Sequence, residues 1–379
     1  MPERTRPKII LIGNSAWNLW NFRRAFIEML LANNFQVVCL APDDPYSGKL
    51  RHLEGVTFIP LRRLSRKSLS PLGNFFTFLE ITRLLRREKP ALALFYTIKP
   101  NIFGGLASWI SGTTAIANIE GMGYAATAPG FFRRLVFVLY RFAFRFVKKV
   151  VFLNDDDRAV FLKHHVVAPD KTQVIKGTGI DVHHFSPSES HSQEPVFLFI
   201  GRLLSDKGIR EFETAAVQVK AAFPDARFQM LGNIDPGNPA SIQAEELRQW
   251  IEKQCIEHLG QSDDVRPFIA SAAAVVLPSY REGIPRVLLE GMALGKPIIT
   301  TDAVGCKETI EHEKNGFMIP AKDAGALAAA MIRFLELPRE QHLLMGQYGR
   351  QKVQNEFSNE VILPQYLLLI RQVLGGPAN

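Results

Sequence analysis

The sequence predicts an α/β protein with two doubly wound domains, each built on a parallel sheet. Short apolar runs rich in β-branched residues alternate with longer segments of helical spacing along most of the 379 residues. A polar, proline-bounded segment at 181–195 interrupts the alternation, which then starts again. A chain of this length favours two domains, and alternating strands and helices favour parallel sheets covered on both faces.

The first half begins with an apolar strand that Gly13 ends. The helix after it stops at Asn33-Asn34, and the next long helix stops at Pro90. Predicted strands occupy 7–13, 35–42, 91–97, 114–121, 150–154 and 172–180. Predicted helices occupy 21–34, 74–90 and 101–112.

The second half repeats the same order after the predicted linker. Predicted strands occupy 196–203, 226–233, 274–278 and 297–302. Predicted helices occupy 208–224, 244–260, 286–295 and 357–374. Open α/β sheets bind ligands at the carboxyl ends of their strands, so we expect a site where such ends from both domains meet.

Composition excludes several classes of protein. The hydrophobic content of 47% and charged content of 22% are typical of a globular enzyme. No apolar run reaches the ~20 residues of a spanning helix, and the first residues lack a secretory signal pattern. The three cysteines, Cys39, Cys255 and Cys306, lack metal or redox spacing, which indicates a reducing cytosol without structural disulfides.

Charge differs strongly between the two halves. Residues 1–187 hold 26 Lys and Arg against 13 Asp and Glu, a net charge of +13. The remaining residues hold 19 against 24, a net charge of −5. This asymmetry predicts that the first domain faces an anionic partner, either a nucleic acid or an anionic membrane.

One basic segment helps to choose between those partners. Residues 130–152 contain no acid, and at ~100° per residue their cations fall within about 160° of a helical wheel. Those cations are Arg133, Arg134, Arg141, Arg145, Lys148 and Lys149. The pattern suits an amphipathic helix in a membrane interface, and equally a core helix with a solvated basic face. A second basic cluster at 61–71 favours the membrane, and no nucleic-acid-binding motif is found.

Two glutamates stand eight positions apart in the segment 279–302. Glu282 lies in a polar loop after a buried strand, and Glu290 lies in the helix that follows Pro285. Helix N-termini bind anions, so the amides of residues 283–286 could hold a phosphate there. An ordinary strand–helix crossover with a solvated Glu282 explains the pattern equally well.

A second motif, GRLLSDKG, opens the second domain. Arg202 and Lys207 follow its first strand and should lie at the carboxyl end of that strand. A guanidinium and an ammonium together suit the binding of one diphosphate. No GxGxxG and no P-loop accompanies them, so the common dinucleotide and triphosphate loops are unsupported.

Three other features are open to a structural explanation. The run Asn154 to Arg158 contains a D-x-D, but an N-capped helix start explains it better than a metal site. The pairs His164-His165 and His183-His184 lack other ligands nearby. Lys99 and Asn101 follow a strand end and either meet an acceptor phosphate or belong to a simple loop.

The ordered motifs of residues 195–335 resemble the C-terminal domain of the retaining family 4 glycosyltransferases. The E-x7-E motif of that family is Glu282 to Glu290, and 314–331 resembles the segment that follows it. In the first half, YTIKPNIFGGLAS and IEGMGYA resemble bacterial capsule, O-antigen and glycan-assembly transferases, such as the N-acetylgalactosaminyltransferases of protein N-glycosylation. The sequence differs from them at Glu120, where many members have threonine. It also differs at the segment GNSAWNLWNFR, where many members carry a glycine-rich or histidine-bearing loop.

The resemblance implies a GT-B fold, with two Rossmann-like domains separated by a cleft. The expected divisions are 1–187 for the acceptor and membrane, 188–356 for the nucleotide sugar, and 357–379 for a helix crossing back to the first domain. It also implies that Glu290 binds the ribose hydroxyls, Glu282 the transferred sugar, and Arg202 and Lys207 the leaving diphosphate. The remaining expected donor contacts are Gly201, Gly283, Ile284, Pro285 and Arg286. The expected acceptor contacts are Gly13, Asn14, Lys99, Asn101, Glu120 and Gly121.

The resulting hypothesis is a retaining, metal-independent transferase that needs no cofactor. It moves a hexose or N-acetylhexosamine from a nucleotide diphosphate sugar, expected to be UDP-linked, to a polyprenyl-diphosphate saccharide. The expected location is the cytoplasmic face of the cell membrane, bound peripherally. Alternatives are a GT-B sugar-nucleotide 2-epimerase and a non-catalytic membrane-surface protein. A hydrolase with paired carboxylates fits less well, because Glu290 lies within a helix.

Overall fold

The computed structural model describes residues 6–65, 68, 70–122, 130–187 and 195–375. The chain divides into two compact units. Unit 1 comprises Met1–Gly179 and Ile362–Asn379, and unit 2 comprises Ile180–Val361. The predicted linker at 181–195 therefore begins inside unit 2, and its residues 188–194 lie outside the described ranges.

Unit 1 is built on a seven-stranded sheet in the order β3-β2-β1-β4-β5-β6-β7. All of its strand pairs are parallel. The strands are β1 (Lys8–Ile12), β2 (Gln36–Ala41), β3 (Val56–Pro60), β4 (Leu92–Tyr96), β5 (Ala115–Ile119), β6 (Lys149–Phe152) and β7 (Thr172–Val174). The central strands are apolar and buried on both faces, as expected where helices cover both sides.

Helices cover both faces of this sheet. They are α1 (Ala16–Ala32), α2 (Ser47–Arg51), α3 (Pro71–Glu88), α4 (Gly105–Ser111), α5 (Gly130–Ala143), α6 (Asp155–Lys163) and α13 (Asn359–Val373). A π-helical turn, Pro100–Gly104, leads into α4. One apolar core joins α1 and α13 to the sheet, and another joins α3, α4 and α5 to its opposite face.

Unit 2 is built on a six-stranded parallel sheet in the order β10-β9-β8-β11-β12-β13. Its strands are β8 (Val196–Ile200), β9 (Arg227–Leu231), β10 (Glu257–His258), β11 (Ala274–Leu277), β12 (Ile298–Thr301) and β13 (Gly316–Ile319). Its helices are α7 (Ile209–Ala222), α8 (Ala244–Glu252), α9 (Arg266–Ser271), α10 (Arg286–Ala293), α11 (Ala324–Glu336) and α12 (Arg339–Glu356). The doubly wound parallel architecture predicted for each half is confirmed.

The prediction of one basic helix that carries all six cations from Arg133 to Lys149 is wrong, whereas the strand predicted at 150–154 is present as β6. Helix α5 ends at Ala143, and Lys149 already belongs to β6, where it pairs with Ile116. In the turn after α5, the side chains of Phe144 and Val147 are buried in the core, and the Lys148 amide donates to Ala115 O at 2.8 Å. Arg145, Lys148 and Lys149 therefore leave the helix, because the β-branched run after them joins the sheet.

Other elements also differ from the sequence prediction, and two of them lie at sheet edges. The predicted helix 244–260 ends at Glu252, and the chain then forms the short edge strand β10, which pairs with β9. The edge strand β3 was not predicted, because VTFIP is short and only partly buried. Edge strands carry a weaker apolar signal than central strands, since one side lacks a neighbour. Within the described residues, no helix is long and apolar enough to cross a bilayer.

Candidate functional site

The second motif and the loop that carries Glu282 meet at the carboxyl edge of the unit 2 sheet, and Glu290 lies in the helix after that loop. Strand β8 leads into Gly201 and Arg202, and the adjacent β11 leads into the loop that carries Glu282. Helix α10 follows that loop, with Pro285 as its N-cap residue. Parallel strands that are neighbours end at the same edge, so segments about 75 positions apart in sequence become one surface.

Lys207 and Glu282 form an ion pair at this edge. The ammonium Nζ of Lys207 donates to Oε1 of Glu282. Their side chains are 22% and 13% exposed, so neither charge is freely solvated. The structure thus brings together a cation and a carboxylate that the sequence motifs assign to neighbouring parts of one substrate.

Backbone contacts hold the loop of Glu282 in place. The Glu282 amide donates to Val304 O at 2.8 Å, and the Tyr280 amide donates to Asp206 O at 2.9 Å. Gly208 has a φ of +71°, and a Cβ there would overlap the Pro278 carbonyl oxygen. The loop after β8 and the loop after β11 are therefore packed backbone against backbone, which fixes the Lys207–Glu282 geometry.

The phenol of Tyr280 adds a side-chain tie to the same loop. Its hydroxyl donates to Glu211 Oε1 on α7 at 2.6 Å. Burial, together with this hydrogen bond, raises the pKa of Tyr280, so the phenol stays protonated at neutral pH. The loop that carries Glu282 is thus anchored to the helix that follows the GRLLSDKG motif.

Arg202 has a different partner from Lys207. Its Nη1 donates to Asp235 Oδ2 at 2.8 Å, and Arg202 is 50% exposed whereas Asp235 is 13% exposed. Asp235 lies in the loop after β9 and was missed in the sequence. The one signal for it was its place in a glycine- and proline-rich loop at a strand end, which many loops share.

Glu290 lies within α10 and pairs with Arg286 one turn earlier. Arg286 Nε donates to Glu290 Oε1 at 2.8 Å, and the Glu290 side chain is 12% exposed. Burial raises the pKa of Glu290, and the Arg286 guanidinium opposes that rise. Gly283 and Pro285 are buried and Ile284 is half-buried, so this short segment is packed against the rest of unit 2.

The expected acceptor residues belong to unit 1 and have diverse surroundings. Glu120 accepts from Nη2 of Arg23, whose side chain is almost fully buried and stacks over the Tyr96 ring at 4.3 Å. Burial alone would lower the pKa of Arg23, but Glu120 and two tyrosines raise it. Glu120, which stands where many similar transferases have threonine, therefore has the buried cation Arg23 as its partner. The sequence analysis did not identify this partner.

Lys99 and Asn101, two other expected acceptor residues, follow β4 and both make hydrogen bonds within unit 1. Lys99 Nζ donates to Ser65 O at 2.6 Å and also to Ser68 O, so both carbonyls are held beside the turn that follows β4. Burial lowers the pKa of Lys99. Asn101 is fully buried, and its amide donates to Asn118 O at 2.8 Å. Its side chain fastens the π-helical turn to β5.

The remaining acceptor predictions lie at strand ends in the same unit. Gly13 is buried directly after β1, where a Cβ would touch Leu19, and Asn14 beside it is half-buried. Gly121 is half-buried after β5 with a φ of +118°. Residues 123–129 of the IEGMGYA region lie outside the described residues.

The D-x-D segment is a helix cap. Asn154 is the N-cap of α6, and its side chain accepts from the Asp157 amide at 2.7 Å. Asp157 is fully buried. Across the part of the chain that the structure describes, no three His, Cys, Asp or Glu side chains are grouped as metal ligands.

Two family models match the chain. Residues 194–337 match the model described as "Glycosyl transferases group 1", and residues 8–154 match the one described as "Glycosyl transferase 4-like". The first range contains Arg202, Lys207, Glu282 and Glu290. The second contains Glu120 and its partner Arg23.

Relatives of known activity extend the match to nearly the whole chain. The chain is 30% identical to the N,N'-diacetylbacillosaminyl-diphospho-undecaprenol alpha-1,3-N-acetylgalactosaminyltransferase of Campylobacter jejuni, over 97% of this chain and 99% of that protein. It is 23% identical to the UDP-Gal:alpha-D-GlcNAc-diphosphoundecaprenol alpha-1,3-galactosyltransferase of Escherichia coli, over 77% and 78%. Neither match supports a 2-epimerase or a non-catalytic binding protein.

Solved structures share the fold. HepE of Anabaena, in complex with UDP and glucose, has a TM-score of 0.80 at 19% identity and covers 96% of this chain and 99% of its own. Sucrose-phosphate synthase of Thermosynechococcus elongatus has a TM-score of 0.82 at 20% identity, covering 98% and 100%. The predicted GT-B fold is confirmed. The chain belongs to the group 1, family 4-like glycosyltransferases.

Proposed function

We propose that the enzyme transfers a hexose or N-acetylhexosamine, with retention of configuration, to a saccharide on a polyprenyl diphosphate. The donor is a nucleotide diphosphate sugar with UDP as the nucleotide. The Lys207–Glu282 ion pair at the sheet edge, with Glu290 in the next helix, carries the proposal. A cation and two carboxylates in this order match the diphosphate, sugar and ribose of such a donor.

The proposed division of labour follows from charge and position. Lys207 and Arg202 neutralise the diphosphate that leaves when the bond to the anomeric carbon breaks. The backbone N–H groups of Gly283, Ile284 and Arg286 lie just before and at the start of α10, where we propose that they add partial positive charge; Pro285 has no N–H to contribute. We propose that these groups take the role that a metal ion has in other transferases. Glu282 binds hydroxyls of the transferred sugar, and Glu290 binds the ribose.

The acceptor assignment rests on relatives and on unit 1. Two relatives named above act on sugars linked through a diphosphate to undecaprenol, in Campylobacter jejuni and Escherichia coli. An acceptor of that class lies in a membrane, so we place the enzyme at the cytoplasmic face of the cell membrane. The exposed cations Arg133, Arg134, Arg141 and Arg145 suit an anionic leaflet. Gly13, Asn14, Lys99, Glu120 and Gly121 remain proposed acceptor contacts.

A donor panel tests the proposal. Purified enzyme is incubated with UDP- and GDP-linked hexoses and N-acetylhexosamines, with and without a short-chain prenyl-diphosphate saccharide, and nucleotide release is measured. We expect UDP release that requires the acceptor, and a product whose new linkage has the donor's anomeric configuration by NMR. Conversion of the donor without acceptor would establish an epimerase instead. No turnover with any pair would overturn the proposal.

A further inference from the structure

Three helices form an outer layer on one face of the unit 1 sheet. Helices α3, α4 and α5 bury their inner side chains in the same apolar core, for example Leu85, Ala107 and Tyr140. Helix α4 lies between the other two, since it packs against α3 and against α5. The outward sides of these helices therefore form one surface.

The outward side of the N-terminal half of α3 is apolar, and exposed arginines follow in its C-terminal half. Its exposed large apolar positions are spaced at i, i+3, i+4 and i+7, which places them along one stripe of the helix. They are Leu72 (72% exposed), Phe75 (52%), Phe76 (48%) and Leu79 (43%). An isolated exposed leucine needs no explanation, but a continuous stripe of two leucines and two phenylalanines does.

Helices α4 and α5 extend the apolar surface. On α5 the exposed apolar side chains recur at i, i+4, i+7, i+8 and i+11. They are Phe131, Leu135, Val138, Leu139 and Phe142. On α4, Trp109 and Ile110 are exposed, and the Trp109 ring stacks on Phe146 with centroids 4.6 Å apart. Three neighbouring helices thus turn large apolar side chains outward.

The charges on this layer are predominantly positive. Its exposed cations are Arg83, Arg86, Arg87, Arg133, Arg134 and Arg141, and Arg145 is exposed in the turn that follows α5. Of the two acids on α3, Glu80 accepts from the amides of Arg62 and Arg63, and Glu88 pairs with Lys8 and Arg87. Residues 89–154 contain one acid, Glu120, which pairs with Arg23. Apolar side chains among an excess of cations are complementary to an anionic lipid bilayer.

Exposed apolar side chains in unit 2 are arranged differently. Val217 and Ile251 stand singly on α7 and α8, and Leu343 and Leu344 lie together on α12. Glu340 on α12 is exposed nearby in sequence, and no stripe comparable to that of α3 occurs among the described helices of unit 2. These leucines supply a matched control.

We propose that α3, with α4 and α5, is a membrane-docking surface in which Leu72, Phe75, Phe76 and Leu79 enter the boundary between headgroups and acyl chains. The occupant is an anionic bilayer. The proposal rests on the proposed function, because a polyprenyl-diphosphate acceptor keeps its diphosphate at headgroup level. It adds insertion of apolar side chains to the electrostatic attraction. The arginines attract the protein to the anionic leaflet, and the apolar side chains of α3 then insert into that leaflet.

Vesicle sedimentation tests the proposal. The probes are vesicles of phosphatidylglycerol with phosphatidylethanolamine, and vesicles of phosphatidylcholine. We expect F75S/F76S to weaken binding to the anionic vesicles by at least about tenfold. The matched control L343S/L344S should bind like the wild type. Raising the salt concentration should weaken binding of all three proteins, because the attraction of the arginines is screened.

Three readouts distinguish lipid docking from misfolding and from self-association. F75S/F76S should retain the wild-type thermal midpoint and its turnover on a short water-soluble acceptor, since both phenylalanines are about half exposed. Unchanged vesicle binding by F75S/F76S would overturn the inference. Loss of a wild-type dimer in this variant by size-exclusion chromatography would overturn it too, since the face would then bind a second copy. Failure of all turnover, with vesicle binding as expected, would overturn the proposed function alone.

Discussion

Lys207 Nζ donates to Glu282 Oε1 in unit 2, so the cation proposed for the donor diphosphate and the carboxylate proposed for the transferred sugar form one ion pair. Both side chains are mostly buried. A buried charge that loses its partner is costly. The two residues therefore act as a coupled unit, and their single substitutions should not be independent.

A double-mutant cycle measures this coupling. We expect Lys207→Ala and Glu282→Gln each to lower kcat/KM by roughly 30- to 1000-fold, about 2–4 kcal/mol, because each removes charge complementarity at the diphosphate or the sugar. The double variant should lose little more than the worse single variant. Losses that add in free energy would show that the two side chains act separately.

Arg202 should contribute to turnover through its charge, and Asp235 should contribute by orienting the Arg202 guanidinium. Arg202→Ala should reduce kcat/KM by about 30-fold or more. Asp235→Asn should reduce it less, because the guanidinium remains. Arg248→Ala is the matched control, since Arg248 is an exposed arginine paired with Glu245 on α8. If the Asp235 variant is as impaired as the Arg202 variant, Asp235 itself contacts substrate.

The two glutamates should separate binding from turnover. Glu290→Gln should mainly weaken UDP affinity, because a ribose contact exists in ground and transition states alike. Glu282→Gln should mainly lower kcat. Isothermal titration with UDP and steady-state kinetics measure the two effects. Equal losses of UDP affinity in both variants would contradict the division.

The pH dependence of UDP affinity follows from Glu290. Its raised pKa means that the carboxylate is protonated at a higher pH than a free glutamate. As pH falls through that raised value, the group loses its acceptor role, and affinity should fall. Glu290→Gln should lack this component, and titration of the UDP phosphates cancels in the comparison. An identical pH profile in the variant would remove Glu290 from the binding site.

Gly208 should be intolerant of any side chain. Gly208→Ala carries the cost of a positive φ, about 1–2 kcal/mol, and overlap with the Pro278 carbonyl, about 1–3 kcal/mol more. Gly260→Ala is the control, because Gly260 has a φ of +72° with no atom within 4 Å of the added Cβ. Urea denaturation should show the larger loss for Gly208→Ala. Equal losses would mean that the two loops can separate.

The Arg23–Glu120 pair should behave as a buried ion pair. Glu120→Thr, which restores the residue of many similar transferases, should destabilise the protein by about 3–5 kcal/mol by leaving Arg23 unpaired. Arg23→Met added to Glu120→Thr should recover most of that loss. Thermal melts of the wild type and of these two variants measure this. Wild-type stability in Glu120→Thr alone would show that Arg23 finds another partner.

Local pattern determined most of the fold and the identity of the site residues. The apolar runs at β1, β4 and β11 are contiguous, and their alternation with helical spacing is sufficient to predict two doubly wound sheets. The motif residues Lys207, Glu282 and Glu290 are recognisable in the sequence itself, because their order along the chain resembles one family. Each strand, helix and motif is defined by neighbours close in sequence, and the order of the motifs can be seen without knowing which of them are in contact.

Tertiary structure decided what depends on distant partners. The apolar run after Lys149 predicts a strand, but the pairing of Lys149 with Ile116 of β5, which leaves α5 ending at Ala143, depends on a segment about 30 positions away. Asp235 and Arg23 acquire their roles from residues 33 and 97 positions away. The sequence of α3 does not show which of its apolar residues face the sheet, because apolar residues lie on several sides of the helix. The packing of α3 against the sheet buries Leu85 and leaves Phe75 exposed, and this is decided only in the tertiary structure.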